Sequence, residues 1–309
     1  MKKCLNRTGV FIICVWLLIF QVSAAQMLIP VGQIIGLELG DNTVTVAAFD
    51  EDLGPDARKA GLQIGDRILK VNGKNIHTAA DIRQALEHSD GMVELTVLRS
   101  KKPVNLRMSP AITQDGPKLG VYLKQGVTGV GTVTWYDPDS GKFGTLGHGV
   151  NHPRGDLLEM TSGVAYEAMV VAVRKGVCGD PGQLMGSIKG TQPIGTLYKN
   201  TSRGVFGVTE TGWKGEPLPV GTAKDVHAGP AIIRSTVDGD TTQEYSVEIL
   251  KVYPNSAVTG RNMLLRITDP ALLETTGGIV QGMSGSPIIQ DGKLVGAVTH
   301  VLVNDPTTG

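Results

Sequence analysis

Cysteine is almost missing from this chain: Cys4, Cys14 and Cys178 are all that occur in 309 residues. Cys4 and Cys14 lie in an apolar N-terminal stretch, which leaves Cys178 alone in the body. No internal disulfide and no C-x-x-C zinc site can form from it, and a lone cysteine of this kind is expected to be buried and structural. Aromatics are scarce at 5%, so the cores must rest on valine, isoleucine and leucine. Net charge is absent too. Lys and Arg number 29 against 29 Asp and Glu, which removes the electrostatic case for a nucleic-acid partner. The sequences H-E-x-x-H, G-x-G-x-x-G and G-x-x-x-x-G-K-[ST] do not occur. Neither a metal nor a cofactor is therefore expected.

Glycine, by contrast, is abundant at 41 residues, which suits a mainly β protein of short strands and many turns. The length exceeds one typical domain and allows two cores. At the N-terminus, Lys2, Lys3 and Arg7 precede the apolar run from Val10 to Phe20, and Val22-Ser23-Ala24 offers small residues for cleavage. Residues 1–25 thus read as a signal peptide or a single helical anchor. The rest of the chain is then expected outside the cytoplasm, membrane-associated through this segment.

The stretch Gly282-Met283-Ser284-Gly285-Ser286-Pro287 reads G-x-S-G-x-P and resembles the nucleophile loop of trypsin-like serine peptidases. Glycines on both sides of Ser284 let the backbone turn sharply, so that the amides of Gly282 and Ser284 can converge on a developing oxyanion. Ile288 to Val298 continues as strand, Asp291-Gly292 turn and strand. A Ser-Gly-Ser-Pro stretch alone is as often an ordinary turn; the hairpin and a suitable histidine favour the nucleophile. That histidine is His148, in Gly144-Thr145-Leu146-Gly147-His148-Gly149-Val150, at the end of a return strand after the Asp137–Lys142 turn. A general base needs a pKa near the working pH and an unshielded ring. A third, orienting carboxylate could be Asp156, Asp180, Asp225, Asp238, Asp240 or Asp269. Asp269 ends an apparent strand, and it is equally well placed to cap the helix that Pro270 begins. Ser286 falls outside the glycine bracket, His152 reads as a loop residue, and His300 as a histidine beside the cleft.

Upstream, Gly54 to Gly73 resembles the centre of a PDZ domain. A short helix ends at Gly61, Gly65-Asp66 turns the chain, and a strand runs into Asn72-Gly73. Thr78 to His88 reads as an amphipathic helix with Ile82, Ala85 and Leu86 on one face, and Val93 to Arg99 as an alternating strand. A PDZ groove takes an extended peptide onto a sheet edge. Its carboxylate loop is expected at Gly32, Ile34, Ile35, Gly36 and Leu37, although that pattern departs from the usual G-L-G-F; a module serving only as a spacer is the plainer alternative. Ser109 to Lys118 reads as a linker.

Export segment, PDZ domain, G-T-L-G-H-G-V and the stretch from Ile279 to Gly309 together resemble the stage IV sporulation protein B (SpoIVB) peptidases. The resemblance implies a PDZ domain (α+β) over 28–108 and a trypsin-like double β-barrel peptidase over 110–309, with further elements usual beyond the position of Gly309. It implies catalytic His148, Asp269 and Ser284, with backbone donors at Gly282 and Ser284. It also implies a serine endopeptidase exported to the space between mother cell and forespore. Its partners would be protein substrates: a membrane-embedded regulator whose cleavage releases pro-sigma-K processing, and the chain itself. A PDZ adaptor without proteolysis and a general envelope quality-control protease are the other readings.

Overall fold

The computed structural model describes residues 25–87, 89, 91–152, 155–253 and 261–309. The expected export segment lies outside the described residues, save its final alanine. Among the described residues no helix is long and apolar enough to cross a membrane. Strand dominates, as the glycine and valine content requires. The described helices are short: Pro55–Lys59, Ala79–Glu87 and Pro270–Thr276.

Buried side chains form three clusters. One is the PDZ core, running from Val44 and Val46 through Ile68, Ile82, Leu86 and Val97 to Leu119. Helix Ala79–Glu87 buries Ile82, Ala85 and Leu86, the face its periodicity predicts. The helix starts on a reciprocal cap: Asp81 Oδ2 accepts from the amides of His77 (2.8 Å) and Thr78 (2.9 Å), while Thr78 Oγ1 accepts from the Asp81 amide at 3.1 Å. A second cluster fills the first half of the peptidase with Ile29, Ile35, Leu37, Val133, Phe143 and Leu197. The third lies against a five-stranded antiparallel sheet in the order Met263–Ile267, Gln243–Val252, Gly229–Ser235, Pro287–Gln290, Lys293–Ala297, and includes Ile233, Val247, Leu265 and Met283.

The expected domain boundary and carboxylate loop need correction. Met27–Pro30 pairs with Trp135–Tyr136 and Leu218–Pro219. The next strand, Ile34–Phe49, begins between Val127–Thr132 and Ser162–Glu167 in the peptidase sheet. Ile34, Ile35 and Leu37 are therefore peptidase core, and Ile34 and Ile35 are 0% exposed. Burial of such a side chain contributes about 1.5–3 kcal/mol, which no open peptide-binding loop would retain. Gly32, at φ 79°, packs directly on the Arg234 backbone, and Gly36 lies against Ile188. A cleft of about 600 Å³ lies instead between helix Ala79–Glu87 and residues 119–123, lined by Ile82, Leu86, Leu119, Val121, Tyr122 and Leu123. The expected linker contains a small hairpin, Ala111–Thr113 with Gly116–Lys118.

The PDZ module is thus inserted between two peptidase strands. Ile34–Phe49 and Val121–Thr132 stay paired along both domains, from Ile34 opposite Thr132 to Phe49 opposite Val121. At the waist the register shifts between Leu39 and Val44. There Asp41, 6% exposed, accepts from the amides of Thr43 (3.1 Å) and Gly126 (3.2 Å), and His152 stands 3.5 Å away. Gly126, at φ 70°, has no room for a Cβ against the Leu39 carbonyl. Cys178, expected inside, is exposed. It sits in a tight surface turn closed by two hydrogen bonds between Val177 and Asp180 (2.7 and 2.9 Å), where nothing covers it.

Candidate active site

Ser284 and His148 are brought to one place by two glycine-dependent loops. Gly282 and Gly285 take φ values of 103° and 101°, a region open to glycine and strained for other residues. At Gly285 a Cβ would collide with the Thr132 carbonyl, so the glycine also permits close packing under Ser284. Three amides of the loop are bonded: Met283 to the Val280 carbonyl (3.1 Å), Gly285 to the Val298 carbonyl (2.8 Å) and Ser286 to the Met283 carbonyl (3.0 Å). Among the described residues, the amides of Gly282 and Ser284 have no acceptor. Those are the two amides that the sequence assigns to an oxyanion.

The two loop serines differ sharply. Ser286 is 0% exposed and donates to Ser235 Oγ at 3.0 Å inside the core. Ser284 is half-buried, and its Oγ faces the Thr299 carbonyl at 3.3 Å. Only Ser284 is open to a substrate.

Strand Lys142–Leu146 delivers the histidine. Gly147 follows at φ 121°, and a Cβ on it would collide with Ser284 Oγ; the base loop therefore lies directly on the nucleophile. His148 is exposed, and its Nδ1 lies 3.1 Å from the Gly149 carbonyl. Asn200 braces the loop behind it. Its Oδ1 accepts from the Val150 amide (2.9 Å), and its Nδ2 donates to the carbonyls of Val150 (2.8 Å) and Leu158 (2.9 Å). His300 is also at this cleft, with Nδ1 2.9 Å from Thr299 Oγ1. Its pKa is held below the ordinary histidine value by burial first, then by repulsion from Arg261 and His148.

Asp269 is not part of this cluster. One oxygen accepts from the Leu272 amide at 3.0 Å, capping helix Pro270–Thr276, and the other from the Ser246 amide at 3.3 Å. Among the described residues no hydrogen bond joins it to His148. The helix-cap alternative left open by the sequence is the geometry observed. Its charge also raises the Tyr245 pKa, after burial as the larger cause.

Thr132, Thr134, Thr299 and Asn200 went unnoticed in the sequence. Thr132 and Thr134 had left a trace, because two threonines at alternate positions in Gly131-Thr132-Val133-Thr134 share a strand face that is buried. Beside Gly282 opens a cleft of about 720 Å³ lined by Val130, Gln183, Leu184, Met185, Ile188 and Gln281. Among the described residues no cluster of His, Cys, Asp and Glu could hold a metal ion. A serine hydroxyl against the loop that carries a histidine, with two free amides beside it, is suited to acyl transfer, although Ser284 Oγ here donates to the Thr299 carbonyl and not to His148.

An 80-residue stretch is 36% identical to a "Putative zinc metalloprotease" of Brucella suis, covering 26% of this chain and 21% of that protein. A 100-residue stretch is 31% identical to a protein of the same designation from Rhizobium meliloti, covering 32% and 26%. The chain spans only about a fifth to a quarter of these relatives, and it lacks H-E-x-x-H. The crystal structure of the PDZ domain of an SdrC-like protein from Listeria monocytogenes aligns with 26% of this chain and 87% of its own, at 20% identity and a TM-score of 0.23. The PDZ domain model matches residues 54–99, and the model of the SpoIVB peptidase S55 matches residues 115–309. With well over half of its length matched, the chain belongs to the SpoIVB peptidase S55 family and carries a PDZ domain.

Proposed function

We propose that this chain is an exported serine endopeptidase of sporulation signalling, with Ser284 as nucleophile and His148 as base. It acts between mother cell and forespore on a membrane-bound regulator and on itself. The observation that carries the chemistry is the half-buried Ser284 hydroxyl lying under Gly147, one residue from His148, with the amides of Gly282 and Ser284 unengaged. Ser284 Oγ attacks the peptide carbonyl carbon, and His148 takes its proton and passes it to the leaving amine. Water then attacks the acyl ester, releases the carboxylic acid and restores Ser284. Each oxyanion amide is worth about 3 kcal/mol in the transition state. With hydrogen on Nδ1, His148 donates to the Gly149 carbonyl and keeps Nε2 free to accept. A main-chain carbonyl thereby orients the ring. Asp269 acts at a distance, by capping the helix that leads into the nucleophile loop.

Three features support the biological setting: the family match, the basic and apolar N-terminal stretch, and a cleft beside helix Ala79–Glu87 able to hold an extended peptide. The test is complementation in an endospore-forming host lacking its own peptidase of this family, alongside fragment analysis of the purified full chain. The wild-type gene should restore sporulation and yield self-cleaved fragments, and Ser284→Ala should do neither. Rescue by Ser284→Ala would leave only an adaptor role.

A further inference from the structure

Every peptide plane that could aim the two oxyanion amides is tied to a neighbour, and two of the ties are side-chain hydroxyls. The Gly282 amide belongs to the plane whose carbonyl, Gln281 O, accepts from the Leu184 amide at 2.8 Å. The Ser284 amide belongs to the plane whose carbonyl, Met283 O, accepts from Ser286 at 3.0 Å. Between and after them stand the carbonyls of Gly282 and Gly285. Thr132 Oγ1 donates to the first at 2.8 Å, and Thr134 Oγ1 donates to the second at 2.7 Å. Both threonines are buried, at 2% and 1% exposure. Thr134 does more, because its hydroxyl also accepts from the Leu146 amide at 2.9 Å. Leu146 ends the strand that delivers His148. One oxygen thus ties the arm of the base to the loop of the nucleophile.

We infer that Thr132 and Thr134 are positioning residues of the catalytic site: Thr132 sets the orientation of the Gly282–Met283 peptide, and Thr134 sets the separation of the His148 and Ser284 arms. The inference rests on the Ser284–His148 reading above. A hydroxyl is needed because the carbonyls of Gly282 and Gly285 approach from a neighbouring chain segment, where a backbone amide is not available. Valine has the same shape and cannot donate. It would leave Gly285 O without its donor and Leu146 N without its acceptor, so each arm would settle where its own loop allows. A displacement on the order of 1 Å costs about 100-fold in rate.

The test is covalent labelling of the full chain by a fluorophosphonate probe. Ser284 Oγ bonds to phosphorus, fluoride leaves and the proton passes to the base, so the rate reports the arrangement without a known substrate. The inactivation rate constant and the probe's half-saturation are measured separately, together with thermal midpoints, for Thr132→Val, Thr134→Val, Thr132→Ser and Thr134→Ser. Thr236→Val is the control, since it removes an equally buried hydroxyl, bonded to Gly32 O at 3.2 Å. The valine variants should lose about 10- to 100-fold in maximal rate, with half-saturation nearly unchanged and a thermal shift like that of the control. The serine variants should recover the rate. Cysteine at either position, a weaker donor of similar bulk, should label at an intermediate rate, and it serves where a valine variant fails to fold. Valine variants that label no more slowly than Thr236→Val, serine variants that stay slow, or cysteine variants at the parental rate would overturn the inference. A parental chain labelling no faster than Ser284→Ala would overturn the underlying Ser284 reading, and the inference with it.

Discussion

The nucleophile loop and the base loop are built to different standards. Around Ser284 the backbone is bonded on nearly every side, Met283 is 0% exposed in the third core, and Ser286 anchors the following strand through Ser235. Around His148 the ring is exposed, its one hydrogen-bond contact among the described residues is the Gly149 carbonyl next to it, and its loop is braced mainly by Asn200. The difference teaches where adjustment can occur. A preorganised oxyanion site must not move, because reorienting dipoles during the reaction would cost what they are meant to supply. The base can tolerate a small reorientation as substrate arrives, since apo hydrogen bonds to a catalytic base commonly tighten on binding.

Replacing the base should have the largest effect. His148→Gln is expected to lower fluorophosphonate labelling by about 10³-fold or more with an unchanged thermal midpoint, because its exposed ring carries little packing; retained labelling would move the base elsewhere, with His300 the nearest alternative. Asn200→Ala comes next. It leaves the Val150 amide and the Leu158 carbonyl without their partner, while the Val150 carbonyl keeps the Leu158 amide at 3.0 Å; the cost is about 1–3 kcal/mol for each buried group left bare. Labelling should slow through the base loop, while limited proteolysis should open 147–158 before the nucleophile loop. Cleavage of the two loops in the opposite order would contradict the contrast.

Asp269 gives a smaller and more discriminating effect. Asp269→Ala should cost about 1 kcal/mol as a lost helix cap, measurable by urea unfolding, and Asp269→Asn much less, since asparagine caps nearly as well. Both should label within a few-fold of the parent. A loss of about 10⁴-fold in Asp269→Asn would restore it to the catalytic triad that the family resemblance implies. The smallest effect is a pH slope. With its pKa depressed in the fold, His300 binds fewer protons folded than unfolded. Stability should therefore rise with pH from the depressed folded value up to the ordinary histidine value near 6.5. His300→Gln should flatten that slope in a pH series of denaturation midpoints.

Much of this was legible in the sequence because it depended on local patterns. The Asp291-Gly292 and Asn72-Gly73 turns take the left-handed angles that those pairs favour, with φ of 49° and 70°, and 49° and 77°. The serine bracketed by Gly282 and Gly285, and the histidine between Gly147 and Gly149, announced themselves through the same backbone demand. What stayed hidden was partner choice over long distances. Ile34-Ile35-Gly36-Leu37 is an apolar strand segment in any domain, and nothing within it says that it pairs with Ser162–Glu167 of the peptidase rather than with PDZ strands. The insertion of one domain into the other therefore could not be read. Asp269 had two local readings of equal weight, and only its contacts with Leu272 and Ser246 separated them. Thr132 and Thr134 touch residues about 150 positions away in sequence, beyond any periodicity.

The most direct test of the account compares Ser284→Ala with Ser286→Ala in the full chain, locating the fluorophosphonate adduct by peptide mass spectrometry. The account predicts an adduct on Ser284 in the parent, none in Ser284→Ala, and a retained adduct in Ser286→Ala with some loss of thermal stability from its buried hydrogen bond. An adduct that persists in Ser284→Ala, or that disappears only in Ser286→Ala, would contradict it.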